Sequence, residues 1–233
     1  MKSLRHMAIC SMFALLSSLS TASADGGAVE VTLEAGSKAY MLGEPVSIAV
    51  WIRNTSSTET VRTAALNAGG DPRRLATVRF QTRRKGEDNF TSIRHPLPEF
   101  MAYEGIVPHA ESVQLNGGEK RCLVCELQFD WEFGGGPKRL VFPTAGKYEI
   151  RALYAEDGTE TNAVASRGIE VDITEPVVEQ DKLAWTELRE NLKTLWPIYA
   201  PEAYRYFSRD NQQMRTRISN FVQNHKGSRY SRM

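Results

Sequence analysis

From Asp25 to about Pro176, apolar residues recur chiefly at every second position. In AVEVTLE the residues Val29, Val31 and Leu33 share one face. In PVSIAVWIRN, Val46, Ile48, Val50 and Ile52 do so, with Ser47, Ala49, Trp51 and Arg53 opposite. A period of two puts successive side chains on opposite sides of an extended chain, so each stretch reads as a strand with one face in a core. The same alternation marks RLATVRFQTR (Ala76, Val78, Phe80), YEIRALYA (Tyr148, Ile150, Ala152, Tyr154) and GIEVDIT (Ile169, Val171, Ile173). Between these runs lie Gly43, residues 54–57, Gly69-Gly70-Asp71-Pro72, Gly86, Asn116-Gly117-Gly118, residues 134–137 and Gly146, which is turn chemistry. Seven or more short strands so punctuated predict a mainly β fold, an antiparallel β-sandwich over residues 25–176. Asn116-Gly117 is the clearest hairpin signal, because tight turns between twisted strands need positive φ.

After Pro176 the period changes. Trp185, Leu188, Leu192 and Leu195 recur at helical spacing from a cap expected near Asp181, and Pro197 ends that helix. Pro201 suits the first position of a second helix carrying Ala203, Tyr206 and Phe207 on one side. A third is expected from about Asp210, burying Met214, Ile218, Phe221 and Val222, with Gly227 after its end. Residues 177–226 thus read as a small helical segment whose apolar stripes pack within the chain, on one another or on the sandwich, and residues 227–233 as a basic, disordered tail.

The framing of the strands resembles bacterial immunoglobulin-like sandwiches. YMLGEPVSIAVWIRNTSSTETV opens with Gly43, Glu44 and Pro45 and ends its strand at Asn54; FPTAGKYEIRALY supplies Gly146, Tyr148 and Ala152. The layout is also similar to the intracellular proteinase inhibitor family and to macroglobulin-like domains. The resemblance spans residues 28–175 and implies an immunoglobulin-like sandwich. It carries over no inhibitory residues.

Residues 1–24 are of another kind. Lys2 and Arg5 precede an apolar run from Met7 to Leu19, and Ala22-Ser23-Ala24 offers small residues before Asp25, the pattern of a cleaved signal peptide. The run is too short to cross a bilayer comfortably, and no later stretch reaches the roughly 20 apolar residues of a membrane helix. The expectation is an exported protein, periplasmic or secreted, with no transmembrane span. Of 29 basic residues, Lys2 and Arg5 would leave with the signal, so 27 face 28 acidic ones. From Ala200 onward, Arg205, Arg209, Arg215, Arg217, Lys226, Arg229 and Arg232 oppose only Glu202 and Asp210, a solvated basic helix face and tail.

Cys122 and Cys125 lie in RCLVCELQFDW, where Leu123, Cys125, Leu127, Phe129 and Trp131 alternate with Cys122, Val124, Glu126, Gln128 and Asp130. Residues three apart on a regular strand point to opposite sides, so this reads as two strand thiols, Cys125 inward and Cys122 outward. A bulge would let them close as a structural disulfide, which an exported location favours. A redox centre would need a helix N-terminus to activate the first thiol, and a zinc site would need two further ligands. Arg83-Arg84-Lys85 beside Gly86-Glu87-Asp88 reads as a charged hairpin tip, without the alternating aromatics of a nucleic-acid binder. His95 and His109 flank a proline-punctuated segment with Glu99, Phe100, Tyr103 and Glu104. Long loops between strands recognise partners, so these six residues form the candidate binding surface. No Gly-x-Ser-x-Gly, His-Glu-x-x-His or phosphate loop occurs. The function expected is a non-enzymatic binding module for a protein or cell-envelope component, acting through loops or a sheet edge and needing no cofactor or metal. The alternatives are a secreted protease inhibitor and a thiol or metal enzyme. Partner identity and oligomeric state are not legible in the sequence.

Overall fold

The computed structural model describes residues 28–68, 76–93, 110–131, 137–156, 162–195 and 212–231. The chain is mostly β. Its first sheet has the order β1–β3–β8, built from β1 (Val29–Ala35), β3 (Val46–Asn54) and β8 (Lys120–Leu127). The second runs β2–β13–β11–β5–β6, with β2 (Ala39–Met41), β13 (Ile169–Thr174), β11 (Gly146–Tyr154), β5 (Val78–Arg84) and β6 (Thr91–Ile93); β12 (Val164–Ala165) extends it against β11. Two further antiparallel pairs are β4 (Val61–Ala64) with β7 (Ser112–Leu115), and β9 (Phe129–Trp131) with β10 (Pro137–Leu140). Every ladder is antiparallel except β2–β13, which is parallel.

The period-two pattern explains the core. Val46, Ile48, Val50 and Ile52 of β3 are fully buried, as are Val78 and Phe80 of β5 and Ile150 and Ala152 of β11, and all belong to one cluster shared by both sheets. Burying each large aliphatic or aromatic side chain contributes about 1.5–3 kcal/mol. Where the strands end, side chains close the backbone. The buried Asn54 amide donates to the carbonyls of Glu59 (2.7 Å) and Leu115 (3.0 Å) and accepts from the Ser56 N–H. The Tyr148 hydroxyl donates to the Thr144 carbonyl four residues upstream, at 2.9 Å.

Several expectations are corrected. Asn116-Gly117 does not join a hairpin: β7 pairs with β4 while β8 pairs with β3. Positive φ falls on Gly118 (+71°), and the Glu119 N–H donates to the Asn116 carbonyl. Positive φ at the third turn position belongs to type II turns, which splay flanking strands rather than continue their twist. Gln128 and Asp130 are buried, not outward: the Gln128 amide donates to the Gly43 carbonyl at 2.6 Å, and Asp130 accepts from Arg139 Nε at 3.1 Å.

Helices α1 (Glu179–Glu190), the short α2 (Leu192–Leu195) and α3 (Gln212–Asn224) complete the described fold. The helix expected from Pro201 lies outside the described residues. Asp181 is not a cap. Val178 occupies that position without a side-chain bond, and the buried Asp181 carboxylate accepts from Ser228 Oγ (2.9 Å) and the Arg229 N–H (2.8 Å). In α3 Phe221 is buried, whereas Met214, Ile218 and Val222 are only half-buried.

Residues 227–231, expected to be disordered, are folded down onto the sandwich. Arg229–Ser231 forms a 3-10 turn whose Tyr230 is fully buried and stacks on Trp185, with ring centroids 5.9 Å apart. The indole lies on Gly43, where a β-carbon would come within 2.3 Å of it and where φ is +85°, so only glycine fits. The Tyr230 hydroxyl donates to the Leu42 carbonyl at 2.5 Å. Arg229 pairs with one oxygen of the buried Glu44 at 2.7 Å, and the other accepts from the Met41 N–H at 2.6 Å. Basic charge at the chain end thus meets a carboxylate that burial would otherwise leave costly.

Tyr230→Phe leaves the buried Leu42 carbonyl without its donor and should lower unfolding stability by about 1–3 kcal/mol in urea titrations. No change would show that the chain end is not held this way.

Candidate binding site on the outer face of the larger sheet

The β5–β11 register sets opposite each other Gln81 and Arg151, then Arg83 and Glu149. Their neighbours Phe80, Ala152 and Ile150 point into the core, so alternation sends these four polar side chains to the outer face. The β5–β6 turn, with Gly86 at φ +96° and the Glu87 N–H donating to the Arg84 carbonyl, brings Phe90 back across them.

Phe90 lies under two guanidiniums. The Arg151 Cζ is 4.0 Å from its ring centroid and the Arg83 Cζ 4.4 Å. Such contacts contribute about 0.5–1 kcal/mol at exposed sites, more where water is excluded. Gln81 is buried, and both ends of its amide are used. Nε2 donates to Ser92 Oγ at 3.1 Å, and Oε1 accepts from Arg151 Nε at 2.7 Å. Arg83 gives both Nε (2.8 Å) and Nη2 (2.6 Å) to one oxygen of Glu149. Around these groups opens a polar groove of about 570 Å³, rimmed by Asp88 and Asn89 and reaching Ser166 and Gly168.

Beyond the groove the sheet face is salt-bridged. Lys85 and Lys147 both reach Glu170, at 2.7 and 3.0 Å, and these hydrogen bonds hold its carboxyl below the usual carboxylate range. The pairs are exposed, so each contributes little to stability. A second cavity of about 260 Å³ lies between Thr82, Arg84, Asp130, Arg139 and Tyr148. Among the described residues, no group of three His, Cys, Asp or Glu side chains is placed to hold a metal ion.

The six residues expected to form the binding surface, His95, Glu99, Phe100, Tyr103, Glu104 and His109, fall in residues 94–109 and lie outside the described residues. In the sequence, that segment follows β6, the edge strand of the larger sheet. Cys122 and Cys125 both lie on β8. Cys125 is buried and Cys122 half-buried, and no disulfide clip joins them. Burial pushes the Cys125 thiol up to about 12, the opposite of what an activated nucleophile requires.

Sequence reasoning missed the groove. Arg83 was visible in the basic run, but Phe90 follows it across a turn and Arg151 arrives from a strand far along the chain. The available signal was Glu149 and Arg151, two charges on the outward phase of β11 between residues committed to the core.

No known protein-family model matches the chain, and no curated protein matches it. Solved structures resemble it at low scores. A β-glucosidase from Erythrobacter marinus matches with 14% identity over 63% of this chain and 15% of its own, at a TM-score of 0.33. The sporulation control protein Spo0M of Bacillus subtilis matches with 14% identity over 71% of this chain and 56% of its own, at 0.35. The CARDB domain of a Pyrococcus furiosus protein, solved in complex with di-metal ions, matches with 13% identity over 63% of this chain and 87% of its own, at 0.29. The chain therefore spans only a small part of the glucosidase and about half of the sporulation protein.

Peptide mapping after alkylation at neutral pH should find Cys122 modified and Cys125 modified only in denaturant; equal labelling would contradict the burial of β8. Burial also raises the hydroxyls of Tyr40, Tyr154 and Tyr230 above their ordinary 10.0, as it raises Cys125 above 9.0. The folded chain keeps protons that the unfolded chain releases, so this stability is complete below about pH 9 and is lost as pH rises toward 12. The urea midpoint should hold from pH 7 to 8.5 and fall above 9; a midpoint constant to pH 11 would refute it.

Proposed function

We propose that this chain is an exported, non-enzymatic binding module: an immunoglobulin-like sandwich that recognises a protein or envelope component through the β5–β6 hairpin and the sheet edge beside it. The observation that carries the reading is the groove in which Gln81 and Phe90 hold Arg151 in a fixed pose. Recognition sites need few polar groups, but those groups must be pre-positioned, since ordering them on binding costs affinity. A buried amide bonded at both ends, under an arginine stacked on an aromatic ring, meets that need on a rigid sheet.

Export is supported by the basic, apolar and small-residue pattern of residues 1–24. The immunoglobulin-like assignment is supported by two sheets around one core and by the Tyr148 hydroxyl bond to Thr144, which has the form of the tyrosine corner of such sandwiches. Among the described residues no helix is long and apolar enough to cross a membrane.

The immobilised chain should retain a component of an envelope extract that Phe90→Ala retains at least about tenfold less well, given what a buried aromatic contributes at an interface. Equal recovery by both proteins would remove the hairpin from the function. Substrate turnover by the purified chain in hydrolase or transferase screens would overturn the non-enzymatic reading.

A further inference from the structure

We propose that Arg151 is the ligand-binding centre of this groove and that the group it takes is a single carboxylate; the inference rests on the binding-module reading and specifies its chemistry. A guanidinium carries five N–H donors in a planar fork. In Arg151 only Nε is committed, to Gln81 at 2.7 Å, and Nη1 and Nη2 have no acceptor among the described residues. The plane of the fork is settled before any ligand arrives. Gln81 cannot turn without giving up Ser92, and Phe90 supports the guanidinium from one face. Two free parallel N–H groups on a fixed plane match the two oxygens of a carboxylate or a phosphate.

Charge chooses between those two. Arg83 lies close enough to have assisted, but Glu149 already takes two of its donors on one oxygen. Its other hydrogen bond is a long 3.4 Å approach of Nη1 to the Asp88 carbonyl. Arg83 and Glu149 cancel, which leaves the formal charge of Arg151 as the excess at the floor, with the Asp88 carboxylate at the rim. A doubly charged phosphate would meet one unopposed cation and the Asp88 carboxylate, whereas a monoanion is matched to Arg151. Stacking strengthens the fork. The aromatic face occupied by Arg151 excludes water from one side of the fork, so a single well-placed pair of hydrogen bonds gains strength there.

The carboxylate has two sources to distinguish, an acidic amino-acid side chain and a sugar acid. Both are tested on the purified chain by following the Nε–H resonance of Arg151 in a titration. The probes are a capped glutamate amide, glucuronate and inorganic phosphate. One or both carboxylates should shift the resonance saturably, and phosphate at equal ionic strength should bind more weakly. Arg151→Lys keeps the charge but loses the fork, and hydrogen bonds to charged groups are strong enough that it should weaken carboxylate binding about ten- to hundredfold. Because that variant removes the reporter, its affinity is read by calorimetry. Phe90→Leu, which leaves the fork but removes its platform, should give a smaller loss. Lys85→Gln, on the same hairpin but outside the groove, should bind as the parent does. Unchanged thermal melting of each variant separates these effects from misfolding.

Equal losses in Arg151→Lys and Lys85→Gln would reduce the site to general positive charge and overturn the assignment. So would tighter binding of phosphate, or no saturable shift with any probe. Loss of the envelope partner in Phe90→Ala but not in Arg151→Lys, with no carboxylate binding, would leave the binding-module reading standing and remove this one.

Discussion

The pairing register of β5 against β11 is the constraint on which most of this structure depends. With Phe80 opposite Ala152 and Thr82 opposite Ile150, core residues face inward together; with Gln81 opposite Arg151 and Arg83 opposite Glu149, charged residues face outward together. The side-chain period of a strand is two, so a slip of one residue would send Gln81 and Arg83 into the core and Phe80 to solvent. Such a slip would leave unpaired charge in an apolar interior, at several kcal/mol per ion. Fold and groove are therefore two faces of one pairing.

The helical end answers a different problem. The turn at residues 42–44 exposes the Leu42 and Gly43 carbonyls and a carboxylate at one end of the sandwich. Tyr230, Gln128 and Arg229 satisfy them, and Trp185 roofs them over. Gly43 and Glu44 of this turn are two of the residues on which the resemblance expected from the sequence rests. Here Gly43 has a further duty, because the indole of Trp185 occupies the space of a side chain. The chain end is thus tied to the sandwich by the Tyr230 hydrogen bond to Leu42 and the half-buried Arg229–Glu44 ion pair, and to α1 by the Trp185 stack and two hydrogen bonds into Asp181.

How much of this could be read in advance follows from the range of the forces. Strand alternation is local, so the core faces of β3, β5, β11 and β13 were legible from Val46 to Ile52, Phe80, Ile150 and Val171. Helical spacing likewise announced Trp185 and Leu188. What was not legible depends on partners distant in sequence. Gln128 looked outward by alternation, but its burial depends on the Gly43 carbonyl, which is brought to it by tertiary packing. Asp181 looked like a cap because its type and position suited one, yet a serine and a backbone N–H from the chain end claimed it. Asn116-Gly117 has hairpin composition, but which strands a turn connects is decided by the sheets those strands join. The basic run at Arg83 was visible while its ring and second arginine were not, since Phe90 and Arg151 meet it only through the hairpin and the ladder.

Cross-strand nuclear Overhauser contacts along β5 and β11 test this pairing most directly. The account predicts backbone proton contacts between Gln81 and Arg151 and between Arg83 and Glu149, with Phe80 opposite Ala152. Contacts displaced by one residue, pairing Gln81 with Ile150 or Ala152, would invert both faces of the sheet and contradict it.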